Sequence, residues 1–117
     1  MSKEKMVIRQ WNVYLADLNP RYKAEPGKIR PVVVIQTDML NNIHPTTIIC
    51  PISTNVYPEV SLLRVHLKEK EAGLRQVSDI LIDQVRAIDN SRFRQRLGGL
   101  DRSSILKLRE NLNLILD

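Results

Sequence analysis

Short apolar runs separated by polar turns fill most of this chain, and the pattern predicts a sheet of short strands. Runs rich in Val and Ile and bounded by Pro, Gly or Asn are typical of strands. Pro31 cannot donate a hydrogen bond to a neighbouring strand, so we expect it at the first position of its strand. The predicted strands are Val13–Asp17, Pro31–Thr37, Thr46–Ile52, Val60–Leu67, Val77–Ile82 and Val85–Ile88.

The period changes near the C-terminus. Apolar residues recur there three and four positions apart, at Ile105, Leu108, Leu112 and Ile115. That spacing places them on one face of an amphipathic helix. Asp101, Ser103 or Ser104 can cap its start. Strands followed by one helix predict an α+β fold built on a small, strongly curved sheet or barrel.

A chain of 117 residues is expected to form a single domain, 1–117. No apolar run approaches the roughly 20 residues of a membrane span, and the charged N-terminus does not resemble a signal peptide. The single cysteine, Cys50, fits a reducing, cytoplasmic location. Because Cys50 lies in an apolar run, a small buried hydrophobe is favoured over a catalytic thiol.

The chain is basic, with 18 Lys and Arg against 13 Asp and Glu and a net charge of +5. This balance favours a polyanionic partner, either nucleic acid or an acidic protein. Neither clustered metal ligands nor a glycine-rich phosphate loop is present in the sequence, so no metal site and no cofactor are expected. His44 and His66 are far apart, and a surface or structural role is favoured over an acid–base pair.

Chemistry-bearing residues concentrate where predicted strands begin or end. Glu25 and Arg30 flank a Pro-Gly loop that runs into a strand, Ser53-Thr54 ends another, and Asp83 to Arg86 joins two more. Such ends can converge on one pocket. Guanidinium groups and hydroxyls suit a phosphodiester, because arginine pairs with phosphate oxygens through a planar fork. A weak surface ion pair between Glu25 and Arg30, or a basic binding face without chemistry, would look similar.

Four segments together resemble the MazF/PemK family of toxin endoribonucleases over nearly the whole chain. They are Val13-Tyr14-Leu15-Ala16-Asp17-Leu18-Asn19-Pro20, Glu25 through Ile35, Pro51-Ile52-Ser53-Thr54 and Asp83-Gln84-Val85-Arg86-Ala87-Ile88-Asp89. Each segment alone is a weak signal. Four in order, at family-like spacing, are strong.

The chain departs from the family pattern at three places. Gln10-Trp11-Asn12 stands where the family usually has Arg-Gly-Asp/Glu, so Trp11 is expected to lead into the first strand differently or to cover a hydrophobic edge. Asn12 also removes a carboxylate. Lys23-Ala24 replaces a Gly-Ser, which alters a local RNA contact. Ser53 replaces the active threonine of several members and keeps its hydroxyl.

The resemblance implies an SH3-like, strongly curved antiparallel β-barrel with peripheral helices. It also implies a homodimer with RNA clefts near the subunit interface, inhibited by a cognate antitoxin through an acidic, partly disordered segment. Family members are mRNA interferases that cleave single-stranded RNA at short specific sequences without metal. Most leave a 2′,3′-cyclic phosphate and a 5′-hydroxyl.

Cleavage through the 2′-OH of RNA needs a base, a stabiliser of the phosphorane charge and a proton for the leaving 5′-oxygen. We predict Glu25 as the base, Arg30 as the stabiliser and Ser53 as a further donor; Arg30 or a water could protonate the leaving group. The predicted RNA-binding residues are Gln84, Tyr22, Lys28, Thr54, Arg86 and Asn19. Gln84 is interpreted as a base reader or a polar strand cap, and Tyr22 as a stacking platform or a surface residue.

Two other functions fit parts of the sequence. A toxin of the same shape could bind and poison a protein target, such as a topoisomerase, without cleaving RNA. Glu25, Arg30 and Ser53 together favour the nuclease. A plain RNA-binding barrel is disfavoured because one Phe, one Trp and three Tyr offer little stacking surface.

Overall fold

The computed structural model describes residues 6–18 and 28–116, which form seven strands and one α-helix. The strands are β1 Asn12–Asp17, β2 Ile29–Val34, β3 Thr46–Ser53, β4 Arg64–Leu67, β5 Ser78–Leu81, β6 Arg86–Asp89 and β7 Phe93–Gly99, and the helix is α1 Arg102–Leu116. Short 3₁₀ turns occupy Glu71–Gly73, Ile82–Gln84 and Asn90–Arg92.

The strands form one antiparallel sheet in the order β4-β5-β3-β2-β1-β7, and β6 pairs with the first half of β3. In the part of the chain that the structure describes, the terminal strands β4 and β7 do not pair, so the sheet is open. The expected SH3-like, strongly curved barrel is therefore observed only as an open antiparallel sheet, and its SH3-like character is not confirmed. The α+β class is confirmed, but α1 is the one α-helix of the described ranges, so the peripheral helices reduce to this helix and three 3₁₀ turns.

Both faces of the central strands are buried, which explains their continuous apolar runs. Successive residues of a strand point to opposite faces. One face carries Val13, Val33 and Cys50 into a cluster completed by Leu108 and Leu112 of α1. The other face packs a second cluster of buried side chains, Ile8, Tyr14, Ala16, Val32, Val34, Ile49, Ile88 and Phe93.

Tyr14 anchors the second cluster. Its ring meets Phe93 edge to face at 5.3 Å between centroids. Its hydroxyl accepts a hydrogen bond from the Arg9 amide and donates one to the Val7 carbonyl, each at 2.9 Å. Burial raises the pKa of Tyr14 above its ordinary value. The segment before β1 is thus fastened to the core.

The strand predictions are confirmed in position but not at every boundary. β2 begins at Ile29, so placing Pro31 first in its strand was wrong. Pro31 is tolerated because pairing of β2 with β3 starts at Val32, so the missing N–H does not interrupt that ladder. The strand predicted over Val60–Leu67 shortens to Arg64–Leu67. β7 was not predicted at all.

α1 confirms the predicted helix, and three of the four residues expected on its buried face, Ile105, Leu108 and Leu112, pack against the core. Ser104, Leu108, Asn111 and Leu112 are its buried residues, and Ile105 packs against the core at partial burial. Ile115, also expected on the buried face, is 36% exposed. Within the described ranges, no helix has the length and apolarity that crossing a membrane requires.

Trp11 resolves the first departure from the family pattern. Its backbone adopts φ +67°, the left-handed region that favours glycine. Its amide donates to the Val34 carbonyl at 2.7 Å and its carbonyl accepts from the Leu100 amide at 3.0 Å. Its side chain packs against the core cluster beneath α1, so it covers a hydrophobic edge.

Candidate functional site

A pocket of about 390 Å³ opens at one end of the sheet, beside the start of β2. Its floor is a row of side chains across four adjacent strands. Leu15 of β1 pairs with Gln95 of β7 on one side and with Pro31 of β2 on the other. The β2–β3 register, continued by one residue, sets Pro31 beside Ile52. All four residues line the pocket.

Polar groups line the walls of this pocket. Arg30 and Thr54 come from the ends of β2 and β3, and Arg75 and Gln76 come from the segment after the Glu71–Gly73 turn. All four residues are exposed. The pocket therefore presents two guanidinium-bearing residues, a hydroxyl and an amide above a floor that is apolar except for Gln95.

Sequence reasoning missed Arg75 and Gln76 of the wall and Gln95 of the floor. The position of the wall depends on a close approach between the Glu71–Gly73 turn and β7. A Cβ added to Gly73 would overlap the Leu97 carbonyl oxygen, and Gly73 has φ +78°. The pairing of a charged loop with an unpredicted strand left no signal in the apolar pattern.

Ser53 lies next to the pocket and is the last residue of β3. Continuing the β2–β3 register by two residues sets Ser53 beside Arg30. The Ser53 hydroxyl oxygen accepts a hydrogen bond from the Asn55 amide at 3.0 Å. A hydroxyl has one donor and two acceptor sites, so Ser53 retains a proton that it can donate.

The other predicted RNA-binding residues are dispersed. Lys28 is exposed just before β2, two residues ahead of Arg30. Gln84 ends a 3₁₀ turn and Arg86 begins β6, and both are exposed. Neither Gln84 nor Arg86 lines the pocket that holds Arg30. Glu25, Tyr22 and Asn19 lie outside the described residues.

A larger, mostly apolar pocket of about 640 Å³ lies at the opposite end of β2. Trp11, Ile35, Leu40, Ile48, Val85, Leu112 and Leu116 provide its apolar lining. Leu40, Ile48 and Val85 remain 45%, 40% and 37% exposed. Val85 lies between Gln84 and Arg86, so these two polar residues flank the apolar surface.

The loop of residues 54–63 between β3 and β4, the β3–β4 loop, is fastened by the buried carboxylate of Asp79. The Tyr57 amide and the Arg64 guanidinium donate to its Oδ2 at 2.9 and 3.0 Å, and His66 Nδ1 lies 2.7 Å from its Oδ1. Burial alone would raise the pKa of Asp79, but these hydrogen bonds outweigh it and hold the pKa below its usual value. Neither His66 nor His44 lines the Arg30 pocket.

Cys50 behaves as a buried hydrophobe, as predicted. It is fully buried in the cluster beneath α1. Burial, with a smaller effect from Asp83, raises the pKa of its thiol to about 12. Because the thiolate is the nucleophilic form, this thiol is unsuited to catalysis at neutral pH. Among the residues that the structure describes, no three His, Cys, Asp or Glu side chains are grouped as metal ligands.

An open antiparallel sheet backed by one helix, with an arginine-lined pocket at its end, defines a small α+β protein with a basic site. Residues 9–116 match the model of the family described as PemK-like, MazF-like toxins of type II toxin–antitoxin systems. The chain belongs to this family.

Relatives agree with the family match. The chain is 34% identical over 111 residues to Endoribonuclease EndoA of Bacillus subtilis, covering 95% of this chain and 96% of the relative. It is 34% identical over 110 residues to Endoribonuclease MazF of Staphylococcus epidermidis, covering 94% and 92%. The fold matches the crystal structure of MazE-MazF from Deinococcus radiodurans with a TM-score of 0.77, at 22% identity, covering 96% and 97%.

Proposed function

We propose that this chain is an endoribonuclease toxin that cleaves single-stranded RNA, chiefly mRNA, at a short specific sequence. The two relatives at 34% identity are named endoribonucleases, and the family is one of toxins. The observation that carries the proposal is the pocket lined by Arg30 and Thr54 with Ser53 beside it. Membership of the family supplies the reaction class, and this pocket supplies a place for it.

The reaction begins at the RNA itself. A ribose 2′-OH attacks the adjacent phosphorus after losing its proton to a base, and this nucleophile is absent from DNA. Glu25 is the proposed base, since a carboxylate is ionised at neutral pH. The 5′-oxygen leaves, so the products are a 2′,3′-cyclic phosphate and a 5′-hydroxyl.

Arg30 is the proposed stabiliser of the phosphorane. Its guanidinium is charged at neutral pH and presents a planar fork to two phosphate oxygens. The Ser53 hydroxyl, which already accepts from the Asn55 amide, donates its proton to the same oxygens. Because Arg30 supplies the positive charge, we propose that cleavage requires no metal ion. Arg30 or a water protonates the leaving 5′-oxygen.

The remaining wall of the pocket binds the flanking RNA. Arg75 is suited to a neighbouring phosphate, and the amides of Gln76 and Gln95 can both donate and accept hydrogen bonds at a base edge. Thr54 and Lys28 extend the polar surface on the Arg30 side. Gln84, Arg86, Tyr22 and Asn19 are proposed further RNA contacts, with Gln84 as a base reader.

A homodimer, held at the apolar surface around Leu40, Ile48 and Val85, accounts for the exposed side chains there. Association at this surface would bring Gln84 and Arg86, which flank Val85, to the subunit boundary. We propose that RNA clefts lie near this boundary. The cognate antitoxin then binds the same basic clefts through an acidic, partly disordered segment that orders on binding.

A toxin of this fold that binds a protein target, such as a topoisomerase, without cleaving RNA is not favoured. Both relatives at 34% identity are named endoribonucleases. A barrel that only binds RNA is disfavoured for the same reason.

The direct test is to map the ends of RNA fragments after incubation with the pure protein. A long single-stranded RNA should be cut at one short sequence in the presence of excess chelator, leaving a cyclic phosphate upstream and a 5′-hydroxyl downstream. Loss of cleavage on chelation, restored by a divalent ion, would show that the metal-free mechanism is wrong. Intact RNA under all conditions would remove the endoribonuclease proposal.

A further inference from the structure

We propose that Asp79, Arg64 and His66 form a positioning cluster that holds the β3–β4 loop, and through it Ser53, at the Arg30 pocket in a pH-dependent manner. The inference rests on the proposed RNA cleavage for its effect on rate, whereas its effect on the loop can be measured without RNA. None of the three residues is proposed to touch the substrate.

A continuous chain of contacts connects the buried carboxylate to Ser53. Arg64 Nη1 donates to Asp79 Oδ2 at 3.0 Å and to the Asn55 carbonyl at 2.7 Å. The Asn55 amide in turn donates to the Ser53 hydroxyl oxygen at 3.0 Å. Asp79 also lies directly opposite Ser53 in the register between β3 and β5. Loss of the carboxylate therefore releases the group that sets the rotamer of Ser53.

The same carboxylate holds the middle of the loop. Asp79 Oδ2 accepts from the Tyr57 amide at 2.9 Å. The Arg64 guanidinium carbon lies 4.2 Å from the centre of the Tyr57 ring, within the range of a cation–π contact. The Asp79 side chain is fully buried, and that of Arg64 is 18% exposed. Buried, charge-assisted contacts fix a geometry more firmly than exposed ones do.

His66 makes the cluster sensitive to pH. Its Nδ1 lies 2.7 Å from Asp79 Oδ1 and its Nε2 lies 2.9 Å from the Val60 carbonyl oxygen. An ionised carboxylate and a carbonyl can only accept, so both contacts are hydrogen bonds only when the ring carries both protons. Deprotonation turns one ring nitrogen into an acceptor that faces an acceptor. One of the two hydrogen bonds of His66, to Asp79 or to the Val60 carbonyl, must then be lost.

The charged groups that face His66 come from three elements. Asp79 on β5 is the one that makes direct contact, and Arg64 on β4 shares its carboxylate. Lys107 of α1 lines the same small pocket as His66 and Arg64.

The first experiment follows the loop without RNA. In NMR spectra recorded from about pH 5 to pH 8, the range in which histidines change charge, the Tyr57 and Val60 amide signals should move with the His66 ring signals. His66→Gln should abolish this movement, and His44→Gln should leave it intact. His44 is a matched control because it is exposed and, among the residues that the structure describes, neither of its ring nitrogens has a hydrogen-bond partner. Amide signals that ignore the titration of His66 would overturn the pH dependence.

The second experiment measures single-turnover cleavage of a short RNA. His66→Gln and Asp79→Asn should lower the maximal rate by about tenfold, well short of the hundredfold that misplacement near a reacting centre can cost. The RNA concentration at half-maximal rate should stay within about twofold of the wild-type value, because the binding residues are intact. The ratio of wild-type to His66→Gln rates should be larger at low pH than at high pH, since only the protonated ring makes both contacts.

The variants separate positioning from general stability. Asp79→Asn keeps the shape of a fully buried side chain, and His66→Gln changes a side chain that is 42% exposed, so the latter tests the proposal even if the former unfolds. Folded His66→Gln with the wild-type rate at every pH would overturn the proposal. Wild-type protein that cleaves no RNA would instead remove the proposed function, and the NMR titration would still decide whether the cluster holds the loop.

Discussion

Arg30 gathers more of the proposed chemistry than any other described residue. Arg30 is the second residue of β2, and it lines the pocket whose floor is built by four strands. An exposed arginine at a strand end is seldom needed by the core. Its replacement can therefore report on catalysis without disturbing the fold.

Arg30→Ala should lower the single-turnover rate of RNA cleavage by at least about a hundredfold, the scale expected when one oxyanion donor is removed. Arg30→Lys should recover only part of the rate, because it keeps the charge but loses the planar fork. Ser53→Ala should cost less, since a neutral hydroxyl donates a weaker hydrogen bond than a charged group. Circular dichroism should show a native spectrum for all three. Folded Arg30→Ala with a near wild-type rate would reject this assignment.

Trp11 shows two opposed effects at one residue. Its backbone lies at φ +67°, where a side chain is strained, yet its ring packs on the core beneath α1. The left-handed conformation costs a non-glycine residue on the order of 1 kcal/mol. Packing of the ring outweighs that strain, which explains how tryptophan occupies a position where the family usually has glycine.

Trp11→Gly should therefore be more stable than Trp11→Ala, by about 1 kcal/mol after allowing for the greater freedom of glycine in the unfolded chain. Both should be less stable than the wild type because both lose the ring. Urea unfolding measures the order. Gln10 is the control position, because its backbone is not left-handed. There, Gln10→Gly should be less stable than Gln10→Ala. If Trp11→Ala were more stable than Trp11→Gly, the backbone at this position would not be strained.

At the scale of elements, the sequence predicted those parts whose burial is continuous. β1, β2, β3 and α1 each carry an apolar pattern that a single period explains. β7 has only Phe93 and Leu97 as apolar side chains among charged neighbours, so its pattern resembles a loop. β7 becomes a strand by pairing with β1, and this long-range contact cannot be predicted from the local sequence pattern.

The residues of the candidate site also fall into two groups, those that the sequence predicted and those that it did not. Arg30 and Ser53 lie in motifs at strand ends, and their placement near one pocket follows from the register of β2 with β3. Gln95 could not be placed at the pocket without knowing that β7 is a strand. Arg75 could not be placed there without knowing that the Glu71–Gly73 turn packs on β7. Residues brought in by contacts between a turn and a strand have no periodic signal to mark them.

The contact between the Glu71–Gly73 turn and β7 gives a prediction about Gly98. A Cβ added to Gly98 would lie 2.7 Å from the Ala72 carbonyl carbon, against backbone that cannot easily move. Gly98→Ala should destabilise the protein by about 1–3 kcal/mol, the usual cost of overpacking. Gly99→Ala is the matched control, because its Cβ would meet only side-chain atoms at 3.8 Å or more. Thermal unfolding should separate the two variants, and equal midpoints would show that the turn moves freely.

At the scale of the whole molecule, the two ends of the sheet differ in character. The Arg30 end is polar and basic, whereas the end near Trp11 exposes Leu40, Ile48 and Val85, with Met39 and Ile43 nearby in sequence at 83% and 80% exposure. Apolar side chains gathered in this way mark interaction surfaces. A second copy of the chain is the proposed partner there.

Replacing two residues of this surface with charges should separate the protomers. The double variant Leu40→Glu, Val85→Glu should be monomeric in light scattering at micromolar concentration, where we expect the wild type to be a dimer, because each dimer would bury four unpaired carboxylates. Leu106→Glu is the control: Leu106 is 57% exposed on α1 but does not line the apolar pocket, so this variant should remain dimeric. If RNA clefts lie near the subunit boundary, the monomeric variant should also lose cleavage while keeping a native circular dichroism spectrum. A wild-type protein that is strictly monomeric, or a double variant that still dimerises, would place the interface elsewhere or remove it.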